Sequence, residues 1–265
     1  MKEINTEELK QIQLSILCEV HDFCERNKIK YFLAFGTLIG AIRHKGYIPW
    51  DDDIDILMPR PEYEFFIKNF QHPFLETFHY NSKRRDLIAF CKVYDKRTTY
   101  IEESSQDYSC LGVNIDIFPF DGLSDNLNIA KKHVKHVMKW TNISVIKKMT
   151  TKHKRVWYKN LVLAILQSVL IVIPYRYVIN KICALMKYYD YNQSEYVVHL
   201  YDAQLYKIMK KKYFEKLVLV EFEGRYFYAP KCYHEYLTTY YGDYMKLPPI
   251  EQRCSHHFYK AYWNK

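Results

Sequence analysis

Leu9, Ile12, Ile16, Val20 and Phe23 recur every three or four residues, behind Asn5 and Glu8 spaced as a capping box. That spacing predicts an N-terminal helix with one buried face. The pattern then shortens: Tyr31 to Phe35 is a brief apolar run ending at Gly36-Thr37, which predicts a buried strand turning into a helix. Ile54 to Met58 predicts a second strand, closed by Pro59 and Pro61, with Pro61 in the first turn of a helix reaching Phe70. Leu87 to Tyr94 and Val113 to Phe118 predict further strands, Pro119 ending the latter. From about Ser124 to Tyr191 longer helical periods take over. Leu217 to Phe222 and Arg225 to Tyr228 flank Glu223-Gly224 as a hairpin, and Pro230 opens a helix ending near Gly242. Strands separated by helices predict a mixed α/β (α+β) fold, a mixed sheet flanked by helices. We divide it into a mixed-sheet core over residues 1–123, a helical insertion over 124–215, and a hairpin and helix over 216–265 that complete the core.

Charge narrows the partners. With 39 Lys and Arg against 30 Asp and Glu, the net charge of +9 suits a phosphorylated ligand, an anionic membrane surface or nucleic acid. The lysines are spread through helices without a recognisable nucleic-acid module, so nucleic acid is set aside. Lys131, Lys132, Lys135 and Lys139 suggest one basic helix face. Lys147, Lys148, Lys152, Lys154, Arg155 and Lys159 then lead into the apolar run Leu161 to Ile173, broken only by Gln167 and Ser168. Those 13 residues fall short of the roughly 20 needed to span a bilayer. The run suits a buried core helix first, and a helix lying on a membrane surface second. Seven cysteines without a CxxC pair, and no hydrophobic export segment in Met1 to Asn5, predict reduced thiols in the cytoplasm.

The chemistry concentrates between Ala34 and Met58. In extended backbone, residues two apart face the same way, so Asp53 and Asp55 fall side by side on a strand. Asp51 is able to join them, and Ile54 and Ile56 are buried behind. Carboxylates about 4 Å apart repel by roughly 4 kcal/mol at an effective dielectric near 20. A cation between them is expected, and Mg²⁺ (or Mn²⁺) fits a few carboxylates plus phosphate oxygens. Gly36-Thr37 offers backbone N–H groups and a hydroxyl to a phosphate. With the D-x-D strand downstream, it makes the two-part pattern of nucleotidyltransferase folds. Arg43 and Lys45 can grip a diphosphate; His44 either binds phosphate or stays within the loop. Asp116, alone among Val113, Ile115, Ile117 and Phe118, reads as the third carboxylate, a metal ligand or base, or else as half of a structural salt bridge, since a lone buried charge is costly. Asp121 reads as a turn cap. Trp50 is able to stack on a base or cover a cation, although packing explains it as well. Glu223 sits in the hairpin turn, within reach of substrate or only of the turn. His256-His257 are poor zinc co-ligands because adjacent side chains point apart; one of them is able to reach a phosphate.

The stretch GTLIGAIRHKGYIPWDDDIDI, ending at Ile56, closely resembles the LicD family, which includes bacterial phosphorylcholine transferases and shares its domain with fukutin-related proteins. NIDIFPFDGL (Asn114 to Leu123), FEGRYFYAP (Phe222 to Pro230) and YLTTYYGDYMKLPP (Tyr236 to Pro249) resemble its later blocks. The resemblance implies a nucleotidyltransferase-like core using CDP-choline or another CDP-alcohol. A sugar hydroxyl of a lipid-linked cell-surface glycan, in teichoic acid or lipooligosaccharide, would be the acceptor and CMP the leaving group. A lipid-linked acceptor would place the work at the inner face of the cell membrane, where the basic segment and the apolar run predict peripheral attachment weakened by salt. Two other readings stand beside it: a true nucleotidyltransferase that moves NMP from an NTP with the same carboxylates, and an inactive membrane-surface scaffold whose functional parts are the basic region and Leu161 to Ile173.

Overall fold

The fold is that of a computed structural model describing residues 2–83, 87–102, 111–149, 156–202, 204–254 and 259–264. His256 and His257 lie outside the described residues, as do Cys110 and residues 152–155. After β1 (Lys2–Ile4), Asn5 caps α1 (Thr6–Asn27), its side chain accepting from the Glu8 N–H at 2.8 Å. Leu9, Ile12, Ile16 and Val20 are buried on one face, as their spacing predicts, and Phe23 packs half-buried beside them. Then follow β2 (Phe32–Leu33), α2 (Phe35–His44), β3 (Asp55–Pro59), α3 (Arg60–Asn69), β4 (Leu75–Phe78), β5 (Cys91–Asp95), β6 (Thr98–Glu102) and β7 (Asn114–Gly122). The helices α4 (Leu127–Lys148), α5 (Trp157–Leu170) and α6 (Tyr175–Met186) come next. The chain closes with β8 (Tyr196–Val198), β9 (Met209–Lys210), β10 (Leu217–Phe222), β11 (Arg225–Pro230), α7 (Tyr233–Tyr241) and β12 (Tyr259–Trp263).

The architecture is mixed α/β, as expected. The main sheet runs β2-β3-β7-β5-β4, with β8 and β9 continuing from the far end of β7. β3 and β7 are parallel, and the other pairs are antiparallel. A second sheet, β1-β12-β6, ties both ends of the chain together. The hairpin β10-β11 turns at Glu223 (φ 51) and Gly224 (φ 71), the left-handed pair that a tight hairpin needs. The principal core gathers α1, α2, the sheet, the hairpin and α7. A second apolar cluster joins Val134 and Val137 of α4 to Val178, Ile179, Ile182 and Met186 of α6.

Several expectations are corrected. Pro119 does not end a strand: β7 continues to Gly122. Its missing N–H is tolerated because β5 pairs only as far as Ile117 and β8 takes over at Asp121, leaving a gap in the ladder between them. Residues 87–90 are buried but irregular, since burial alone does not make a strand. Pro230 closes β11, and α7 begins at Tyr233. Asp121 is no turn cap; it is fully buried on β7, and Arg60 Nε donates to it at 2.6 Å. The preferred reading of Leu161 to Ile173 as a core helix also fails. Only Leu163 of α5 is buried, while Val169 is 67 % and Val172 80 % exposed.

Candidate active site

Strand register builds the site. Asp55 on β3 lies opposite Asp116 on β7, and Asp116 lies opposite Lys92 on β5. Side chains alternate across a sheet, so Asn114 and Asp116 share the half-buried face of β7 while Ile115 and Ile117 fill the core behind. Lys92 Nζ reaches Asp116 Oδ1 at 2.6 Å and Asn114 Oδ1 at 3.1 Å.

The acidic run approaches this row from a loop. The strand starts at Asp55, so Asp53 and Asp55 are not two residues of one strand: residues 51–54 are irregular. The reason is local, because Pro49 and Trp50 enter by a turn and Asp52 is drawn inward, its carbonyl accepting from buried Gln13 Nε2 at 2.9 Å. The charges still meet. The Asp51 carboxyl hydrogen-bonds the Asp53 side chain, and burial, then Asp53, pushes its pKa up to about 7. Burial followed by Asp53, Asp116 and Asp51 holds the Asp55 carboxyl well above the ordinary carboxylate range, with Lys92 pulling the other way. The Tyr241 ring is partly exposed, but its hydroxyl end is enclosed; burial and then Asp55 push it up.

Helix α2 abuts this cluster. A Cβ at Gly36 would come within 2.6 Å of Asp51 Oδ2, so only glycine lets the carboxyl sit against the first turn, where the helix dipole favours negative charge. Thr37 is buried, and its hydroxyl accepts the Asp55 N–H at 2.8 Å, pinning helix to strand. Phe35 opens the helix at φ 46, a costly conformation for a non-glycine residue, held by ring contacts with Phe118, Tyr236 and Tyr240.

The other expected site residues form two separate groups. Arg43 Nε donates to His44 Nε2 at 2.9 Å and its Nη1 to the Tyr244 carbonyl at 2.7 Å, so part of its fork is engaged within the protein. Burial and Arg43 lower the His44 pKa, leaving a neutral ring that packs edge-on to Trp50, with Arg253 against the Trp50 ring. Glu223 clamps the loop after α2: its N–H donates to the Lys45 carbonyl at 2.8 Å, and its carboxylate accepts the Tyr47 N–H at 3.0 Å. Lys45 is exposed.

A small cleft of about 60 Å³ lies between α1 and the sheet, lined by Gln13, Asp52, Asp53, Lys92, Asn114 and Asp116 among others. Sequence reasoning missed Gln13, Lys92 and Asn114. Lys92 carried a signal, a lone cation in an apolar stretch, whereas Gln13 looks like one more position of a helix. Among the described residues no three His, Cys, Asp or Glu side chains converge as a ready-made metal cage. The donor set nonetheless fits a hard divalent ion. Burial first, and the neighbouring carboxylates second, hold the Asp51 and Asp55 carboxyls above the ordinary range, and Mg²⁺ needs only one or two carboxylates beside phosphate oxygens and water.

Comparison with known proteins identifies the family. The family described as LicD/FKTN/FKRP, nucleotidyltransferase domain, matches residues 28–174. The chain is 36 % identical to the lipopolysaccharide cholinephosphotransferase LicD of Haemophilus influenzae, over 99 % of each chain. Shorter matches join it to uncharacterized proteins of Rickettsia typhi (40 % identity over 24 % of this chain and 22 % of the relative) and Rickettsia prowazekii (49 % over 16 % and 15 %). By both the domain match and the full-length relative, this chain belongs to the LicD family.

Proposed function

We propose that this protein is a phosphotransferase that moves phosphocholine from CDP-choline, or a related group from another CDP-alcohol, to a sugar hydroxyl of a cell-surface glycan. The single observation that carries this reading is the register Asp55–Asp116–Lys92, with Asp53 and Asp51 pressed against it. So much negative charge gathered in and beside one cleft is unfavourable alone and suits a site whose ligand arrives with a cation. The full-length likeness to a lipopolysaccharide cholinephosphotransferase supplies the transferred group and the acceptor class.

In this reading the core is nucleotidyltransferase-like. Mg²⁺, held by Asp53 and Asp55 with Asp116 beside them, would neutralise the donor's diphosphate. The acceptor hydroxyl attacks the phosphorus that bears choline. Its proton passes to Asp116, a new P–O bond to the sugar forms, and the bond to the CMP oxygen breaks. Lys92 keeps Asp116 oriented, and Gly36, Arg43, Lys45 and Trp50 border the path of the nucleotide. The protein works in the cytoplasm at the inner face of the cell membrane, on a lipid-linked precursor of lipooligosaccharide or teichoic acid.

The test is product analysis with acceptor glycan and Mg²⁺. CMP release from CDP-choline is expected. Release of pyrophosphate from an NTP instead would assign the site to nucleotidyl transfer.

A further inference from the structure

We propose that α5 and the corner that follows it, Trp157 to Ile173, seat this protein on the surface of an anionic lipid bilayer. This goes beyond the transfer reaction and is independent of it.

The polarity of α5 is inverted. Its polar residue Gln167 faces the protein, where Nε2 donates to the carbonyls of Ile146 and Met149 at 2.9 and 2.7 Å and satisfies the C-terminal end of α4. Lys147 reaches back to the Leu170 carbonyl at 2.7 Å, so apart from buried Leu163 the helix is fastened largely by polar contacts. The apolar side chains point outward: Leu161, Val162, Ile165 and Val169 are each more than half exposed, and at the corner Ile171 and Val172 are 76 % and 80 % exposed. A soluble surface helix places these two classes the other way round, and an apolar patch of this kind marks an interaction site.

Charge selects the occupant. Between Asp125 and Asp190 the chain has 13 Lys and Arg residues and no Asp or Glu, whereas in the rest of the chain acidic residues outnumber basic ones. Lys159 and Arg176, both exposed, bracket the apolar segment along the chain. A second copy of this chain would bring the same basic residues face to face and be repelled; an anionic leaflet complements them. Trp157 (74 % exposed), Tyr158 and Tyr177 add rings with an apolar body and a polar edge, suited to the headgroup level. No single helix is long and apolar enough to cross a membrane among the described residues, and α5 and α6 meet at 85°. Helix α5 therefore lies in the interface with the corner dipping into the acyl boundary.

The test is flotation of the full-length protein with vesicles of phosphatidylcholine alone or mixed with phosphatidylglycerol. The protein should float with the mixed vesicles and be released by salt. Val169→Glu with Val172→Glu should lower that partition at least about tenfold, with an unchanged circular-dichroism melt. Ile171→Ser with Val172→Ser, which adds no charge, should weaken it in the same direction. Lys159→Glu with Arg176→Glu should abolish the preference for anionic lipid. Flotation equal in wild type and both apolar variants, or absent from wild type, would overturn the proposal. So would a solution dimer that the glutamate variant dissociates, which would give the face to a second copy. Flotation does not depend on transfer, so failure of one reading leaves the other standing.

Discussion

Replacing Asp51 by Asn should stabilise the protein at alkaline pH. The folded state holds this carboxyl near pKa 7 against an ordinary 3.8, through burial and then the charge of Asp53. Its protonated form is favoured by folding, so the stability it contributes is fully present below about pH 4 and is lost as pH rises through about 7. The gap, at ~1.4 kcal/mol per pH unit, sets a ceiling of about 4 kcal/mol. Solvent at a half-buried side chain and sharing with Asp53 reduce that to about 2 kcal/mol. Asn is uncharged at every pH and can still donate to Asp53, so the variant avoids the penalty. Urea melts of wild type and Asp51→Asn in EDTA at pH 5 and pH 8.5 measure it. The variant should gain about 2 kcal/mol at pH 8.5, or about 4–8 °C in Tm for a chain of this size, and much less at pH 5. Added Mg²⁺ should narrow the gap by stabilising the wild type more. A variant less stable than wild type by 1 kcal/mol or more at pH 8.5, or a gap equal at both pH values, would refute the reasoning.

Other perturbations report on neighbouring parts. Thr37→Val removes the acceptor of the Asp55 N–H and should cost about 1–3 kcal/mol in urea melts, with Thr37→Ser restoring most of it. Lys92→Met removes the cation that opposes Asp116 and holds Asp55 down. The Asp55 carboxyl then ionises at higher pH, so the acid limb of the pH–rate profile should move to higher pH and kcat fall about 10–100-fold; an unmoved profile would exclude Lys92 from the site. Arg60→Met leaves Asp121 buried without its partner and should cost about 3–5 kcal/mol at neutral pH, less in acid where Asp121 takes a proton.

What was legible in the sequence was local. The α1 cap and stripe, the β10-β11 hairpin and the apolar alternation around Asp116 each depend on neighbours a few residues apart, and each appears as expected. Asp53, Asp55 and Asp116 were recognisable as carboxylates placed where burial is expensive. What joins them is pairing across distant strands: Lys92 meets Asp116 only because β5 pairs with β7 in one register. Gln13 was hidden by its setting, since a polar residue on a helix stripe looks like ordinary variation until Asp52 and Asn114 fold over it. Pro119 misled because its effect depends on whether a neighbouring strand asks for its N–H, which is a property of the sheet. The run Leu161 to Ile173 misled because apolar content is the same for a helix facing a core and one facing outward.

Calorimetric titration of CDP-choline into the protein, with and without Mg²⁺, tests the central claim most directly: that the clustered aspartates share a cation which meets the donor's diphosphate. Wild type should bind the donor tightly only with Mg²⁺, and Asp53→Asn with Asp55→Asn should bind it equally weakly in both conditions. Donor binding of the same strength in EDTA, or an undiminished Mg²⁺ effect in the double variant, would contradict the account.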